Sequence, residues 1–270
     1  IARARKILRE VGNIASLASD LTAELDGTLS IATTHTQARY VLPEVIRAFR
    51  ERYPRVDLEL HQGTSEQIAE LVSTNKVDFA IATGSQELFS HLTLLPIYNW
   101  HRIALVPKQH ALAKQNKPLD LQSLASFPLV TYVFSVTGES SFKRAFREQG
   151  LEPRVVFTAR DADIIKTYVR MGMGVGVIAS MAFECQDRED LVAIDARELF
   201  PQVTTWLGFP RDMVLRGFMV DFIHLFAPHY SPRLIRDAAN LPMQEQVEEL
   251  LSGIPLPVRG GCEQDAASAA

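Results

Sequence analysis

The sequence predicts an α/β protein made of two small strand-and-helix units behind a leading helix. Three observations carry this. Strand-like and helix-like segments alternate from Gly27 onward. The first five of them run β-α-β-α-β, the order that builds a parallel, right-handed sheet. Ahead of them, Ile7, Val11, Ile14, Ala18, Leu21 and Leu25 recur at alternating spacings of four and three residues. That is the narrow seam of a helix packing on another helix.

The elements follow in order. "GTLSIAT" from Gly27 reads as a strand, with Gly27 closing the leading helix. Leu42, Val45, Ile46 and Phe49 mark one face of a helix, and "VDLELHQ" alternates as the next strand. Thr64 and Gln67 fit a capping box before a helix that turns Ile68, Leu71 and Val72 inward. "VDFAIAT" is a buried strand. A break is expected at Leu95-Pro96, after which "WHRIALVP", "PLVTYV", "RVVFTA" and "GVGVIA" supply the strands of a second unit. Its helices follow Thr137 and run through Ile164, Ile165, Tyr168 and Val169. "TTWLGF" and "LRGFMVDFIHLFAPHY" are a late strand and a late helix, and the residues from Gly253 on read as a loose tail.

Hydrophobic residues at 47% and charged residues at 22% are ordinary for a globular protein. No apolar run approaches the roughly 18 residues that a membrane helix needs. Residues 1–25 are polar-rich and helical in pattern, unlike a signal peptide. A net charge of −4 is ill suited to holding DNA unaided. Cys185 and Cys262 lack metal-ligand neighbours, and two free thiols in a reducing compartment, the cytoplasm, are expected over a disulfide.

Catalytic patterns are missing. The glycines of Met171-Gly172-Met173-Gly174-Val175-Gly176 follow a helix and lead into a strand, the reverse of a dinucleotide loop. They suit a close helix-to-strand turn. Asp161-Ala162-Asp163 is expected to cap the helix at Ile164. No cofactor, metal site or enzymatic activity is expected. By contrast, Thr33-Thr34-His35-Thr36-Gln37 crowds hydroxyls and an amide between a first strand and a helix. This is where open α/β sheets hold ligands and where helix N–H groups favour anions. Thr34, Thr36 and Gln37 can donate without adding charge. Pro43 threatens to open the main helix late, leaving a separate turn before it. Thr83 ends the third strand at the same sheet edge, while Thr137 and Trp100 belong to the second unit and are expected to face the first across a cleft.

At "TTHTQARYVLP", with "RYPRVDLELHQG", "VDFAIAT", "PLVTY", "DADIIKTYVRMGMGVGVIA" and "DFIHLFAP", the sequence resembles LysR-type transcriptional regulators. Within them it is similar to the CysB/Cbl-like branch that controls sulfur assimilation and cysteine biosynthesis. The resemblance implies two Rossmann-like subdomains with crossover strands, in the manner of periplasmic binding proteins. It places subdomain I at residues 27–95 plus 204–231 and subdomain II at 96–203. Residues 1–26 become a linker and dimerisation helix, and 232–270 a C-terminal helix and flexible tail. It also implies that Thr34, Thr36, Gln37, Thr83 and Thr137 hold sulfate or a related anion, with Trp100 in the effector response. Thiosulfate, adenosine phosphosulfate and an acetylserine are the other effectors expected. A homodimer or homotetramer, and DNA contacted through a winged helix-turn-helix upstream of Ile1, complete the expectation. The alternative is a solute-binding receptor for a small oxyanion with the same fold.

Overall fold

A computed structural model describes residues 26–83, 86–115, 117–138, 140–211 and 213–262. The leading-helix seam from Ile7 to Leu25 lies outside them. The chain runs β1 (Gly27–Thr33), α1 (His35–Tyr40), α2 (Leu42–Arg52), β2 (Val56–Gln62), α3 (Ser65–Ser73), β3 (Phe79–Thr83) and β4 (Leu92–Trp100). It continues through β5 (Arg102–Pro107), α4 (Leu121–Ala125), β6 (Leu129–Tyr132), α5 (Val133–Val136), α6 (Ser141–Glu148), β7 (Val155–Ala159), α7 (Ala162–Arg170), β8 (Val175–Ala179) and β9 (Leu191–Asp195). Last come β10 (Val203–Pro210), α8 (Gly217–Phe226), α9 (Pro232–Ala239), α10 (Gln244–Leu251) and β11 (Val258–Arg259). One compact unit holds the residues up to Tyr98 together with Thr205–Leu256; the other holds Asn99–Thr204 and the residues from Pro257 on.

In the first unit the sheet order is β4-β10-β3-β1-β2. β1 pairs in parallel with β2 and with β3, as the β-α-β-α-β pattern requires, and β10 returns antiparallel to β3. Ser30 locks the start of this arrangement: its N–H and hydroxyl both donate to Asp78 Oδ2, at 2.8 and 2.9 Å. α2 buries Leu42, Val45 and Phe49, and the Phe49 ring meets Phe222 of α8 edge-on at 5.5 Å. Each such ring contributes about 1.5–3 kcal/mol by leaving water. The capping box at Thr64 and Gln67 forms as expected, Thr64 N–H donating to Gln67 Oε1 at 2.9 Å. Gly27 opens β1 as expected, with a φ of 152° that favours glycine; the helix it was expected to close lies outside the described residues.

No strand ends at Leu95-Pro96, although the two units divide close by, between Tyr98 and Asn99 in the sequence. β4 passes straight through the dipeptide. Proline lacks an N–H and reads as a strand breaker, but the Pro96 carbonyl accepts from Tyr230 Oη at 2.7 Å. Nearby, the Gln244 amide replaces a missing strand: it accepts from Leu94 N–H at 2.9 Å and donates to Leu94 O at 3.0 Å.

The second unit has the sheet order β7-β6-β8-β5-β9. Phe142 and Phe146 of α6 pack with Phe200 beneath it, the Phe142 and Phe200 rings stacked at 5.5 Å. The glycine run is the close turn expected of it: a Cβ on Gly174 would lie 2.3 Å from Pro128 O, and one on Gly176 2.8 Å from Val169. Asp161 caps α7, accepting from Ile164 N–H at 2.8 Å. Lys166 is buried in an acidic nest of Asp187, Glu184 and Asp163, at 2.9, 3.4 and 3.5 Å.

The cysteines correct the expectation of free thiols: Cys185 and Cys262 form a disulfide. Their 77-residue separation conceals that the terminal segment returns to this unit. Val258 and Arg259 pair in parallel with Asn99 and Trp100, and Cys262 N–H donates to Phe183 O at 3.1 Å. That part of the expected loose tail is thus ordered.

Candidate functional site

The first-unit site is built on the carboxyl ends of β1 and β3. Thr33, the last residue of β1, pairs with Ile81. β3 continues two residues further to Thr83, level with the start of α1. Thr83 in turn pairs with the buried Thr205 of β10. Parallel topology therefore gathers Thr34, Thr36, Gln37 and Thr83 at one edge of one sheet.

α1 is a six-residue turn of helix, separated from α2 by Val41, with Pro43 in the first turn of α2. The late opening caused by the proline is what the sequence warned of, and so short a helix contributes little dipole. Thr34 occupies the N-cap position in extended conformation, yet its hydroxyl makes no cap bond. Thr34 and Thr36 are both half-buried. Plain capping thus does not account for these hydroxyls.

Gln37 is the most enclosed of the first-unit candidates. It is 1% exposed. Its Oε1 accepts from the Tyr98 hydroxyl, and its Nε2 donates to Thr205 Oγ1 at 3.4 Å. Its amide is engaged inside the first unit, tying α1 to β4 and β10. Tyr98 and Thr205 escaped the sequence reading because an isolated tyrosine and threonine in strands carry no signal. Thr83 also borders a hollow of about 10 Å³ among Ala80, Ala82, Phe89, Leu94 and Trp206. That is room for one water, not for an effector.

Trp100 and Thr137 lie in the second unit. Trp100 is 3% exposed, and its indole N–H has no hydrogen-bond partner. Thr137 is exposed and follows α5; Ser140, not Thr137, caps α6, its Oγ accepting from Lys143 N–H at 3.1 Å.

Uncharged donors at the strand ends of an α/β sheet suit the binding of a small molecule. The family model of the LysR substrate binding domain matches residues 22–231, and the chain belongs to that family. It is 43% identical over 259 residues to the HTH-type transcriptional regulator CysB of Haemophilus influenzae, covering 96% of this chain and 80% of that protein. Against the HTH-type transcriptional regulator cbl of Escherichia coli the identity is 41% over 247 residues, covering 92% and 77%. The crystal structure of the cofactor-binding domain of the Cbl transcriptional regulator superposes with a TM-score of 0.74 at 41% identity, covering 81% of this chain and 96% of that one. The expected fold, two Rossmann-like subdomains of the periplasmic-binding-protein kind, is that of the LysR effector-binding domain. These relatives are transcriptional regulators and not enzymes.

Proposed function

We propose that this chain senses a small anion of sulfur metabolism and passes its binding to a DNA-binding segment outside the sequence. Sulfate, thiosulfate, adenosine phosphosulfate and an acetylserine are the candidate effectors, and regulation of cysteine biosynthesis is the role. Thr34, Thr36 and Thr83 contact the effector in the first unit. Gln37 positions them from behind, and Trp100 and Thr137 carry the response of the second unit. A cytoplasmic homodimer or homotetramer completes the reading. The ligand must bind two conformations with different affinity, since equal affinity regulates nothing.

The observation that carries this reading is the Thr34 hydroxyl, which sits at a cap position without capping. A hydrogen bond to a charged partner contributes about 1.5–3 kcal/mol. Thr36→Val, which keeps shape and removes a donor, should therefore weaken sulfate roughly tenfold or more in calorimetry. Unchanged affinity would remove the first-unit site from consideration.

A further inference from the structure

The two cysteines of the chain are joined, and the two ends of that bond are held very differently. Cys185 begins a short helical turn, Cys185–Glu189, that is firmly anchored. The buried Lys166 ammonium fixes the residues on either side of it, donating to Ala182 O at 3.1 Å and to Asp187 Oδ2 at 2.9 Å. Cys262 belongs to the segment from Pro257 onward, which lies on the second unit. Polar contacts hold that segment. Asn99 N–H donates to Pro257 O at 2.9 Å, Ser180 Oγ to Arg259 O at 3.2 Å and Cys262 N–H to Phe183 O at 3.1 Å. Apolar burial adds little, since Val258 stays 44% exposed. Gly260 and Gly261 give up more backbone freedom on docking than any other residue would. The seat is nevertheless specific: a Cβ on Gly261 would lie 2.5 Å from the carbonyl oxygens of both Ser180 and Phe183.

Such a bond is open to attack. Cys185 is exposed and Cys262 half-buried, so water and small thiols reach it. Exposed disulfides are the labile, regulatory ones. Weak docking acts in the same direction: once the bond is broken, little keeps one thiol beside the other, and their effective concentration falls. In a cytoplasm, where thiols are kept reduced, a disulfide of this kind is transient and redox-sensing rather than permanent. That last step alone rests on the compartment proposed above.

We propose that Cys185–Cys262 is a reversible redox clasp worked by small thiols of the glutathione class. Oxidised, it seats the segment from Pro257 to Cys262 against Asn99, Trp100, Ser180 and Phe183; reduced, it frees that segment. A thiolate attacks Cys185 Sγ, the S–S bond breaks, and Cys262 leaves as a thiolate that takes up the proton released by the attacking thiol. A second thiolate then attacks the small thiol's own sulfur in the mixed disulfide and releases Cys185. Two small thiols are oxidised to their disulfide as one protein disulfide is reduced, and an excess of that disulfide reverses both steps. Because β11 pairs Arg259 with Trp100, the clasp bears on the residue assigned the effector response. Only this consequence depends on the proposed function.

The oxidised full chain is equilibrated without oxygen in reduced glutathione with about one hundredth as much of its disulfide, then alkylated and weighed by mass spectrometry. At least about half of the bond should open. Amide exchange at Asn99, Val258, Arg259 and Cys262 should quicken roughly tenfold or more, while that of the buried Thr131 in β6 stays unchanged. Excess glutathione disulfide should restore both readings. Gly261→Ala keeps both cysteines but spoils the seat, and should open at a glutathione ratio at least about threefold more oxidising. A bond that survives the reducing buffer overturns the clasp, as does exchange in the reduced chain within about twofold of the oxidised one. Quickened exchange at Thr131 as well would show a structural disulfide whose loss unfolds the unit, and would also overturn it. Gly261→Ala opening at the parent's ratio would remove the seat from the device. In calorimetry the oxidised and reduced chains should differ in sulfate affinity by at least about twofold. Equal affinity overturns the coupling to the effector, whereas no sulfate binding in either form sinks the effector reading and leaves the clasp standing.

Discussion

The Tyr98 hydroxyl donates to the side-chain oxygen of Gln37 in the buried interior of the first unit. The same amide donates to Thr205, so one side chain binds the turn after β1 to two other strands. Gln37 therefore sets the position of Thr34 and Thr36. Gln37→Leu removes the acceptor of the Tyr98 hydroxyl and the donor to Thr205 Oγ1, and should lower stability by about 1–3 kcal/mol in urea unfolding. Loss of sulfate binding with no loss of stability would instead make Gln37 a direct ligand contact.

Thr34 yields the opposite expectation. An N-cap threonine that bonds the helix contributes about 1 kcal/mol. The Thr34 hydroxyl makes no such bond. Thr34→Ala should therefore change stability by less than about 0.5 kcal/mol while weakening sulfate in calorimetry. A stability loss approaching that of a working cap would restore plain capping as the role of Thr34.

Asp187 and Lys166 form a buried pair, each side chain 3% exposed. Burial alone would raise the Asp187 carboxyl, but hydrogen bonds from Arg170, Lys166 and the Glu184 N–H outweigh it and hold the carboxyl below its ordinary value. Its folded-state pKa is depressed, so its contribution is complete above the unfolded value. That contribution disappears as the pH falls from about 4 through the folded value. Asp187→Asn should lose about 3–5 kcal/mol at neutral pH, because it leaves Lys166 short of charge. Its unfolding midpoint should also fall less steeply in acid than the parent's. A variant with the parent's acid profile would refute the assignment.

The Cys185–Cys262 disulfide closes a long loop and fixes the terminal segment to the second unit. Cys262→Ser should lower stability by about 2–5 kcal/mol. Hydrogen exchange should quicken at Val258 and Arg259, where β11 pairs with β4. Exchange as slow as in the parent would show that backbone pairing holds the segment without the covalent link.

Much of this architecture was legible beforehand. Alternating Leu29 and Ile31, the helical face of Leu42, Val45 and Phe49, and the Thr64–Gln67 box are local patterns, and local patterns survive folding. Pro96 misled because proline's missing N–H matters only where a neighbour would have used it. Arg102 did carry a signal, a lone charge in the apolar run "WHRIALVP". What that charge meets, the Ser141 hydroxyl and the Phe200 ring, was invisible, since both are distant in sequence.

The residue pattern by itself determined the α/β class, the parallel β1-β2-β3 core and the clustering of hydroxyls at the strand end, because period and turn chemistry act over a few neighbouring residues. Only the tertiary structure decided that Gln37 faces inward to Tyr98 and Thr205, that Cys185 meets Cys262, and that Arg102 is buried with no carboxylate paired to it among the described residues. Those outcomes depend on which distant segments come to share the space around one side chain. Burial makes that choice consequential: a polar group sealed from water must find its partner in the fold or in a ligand.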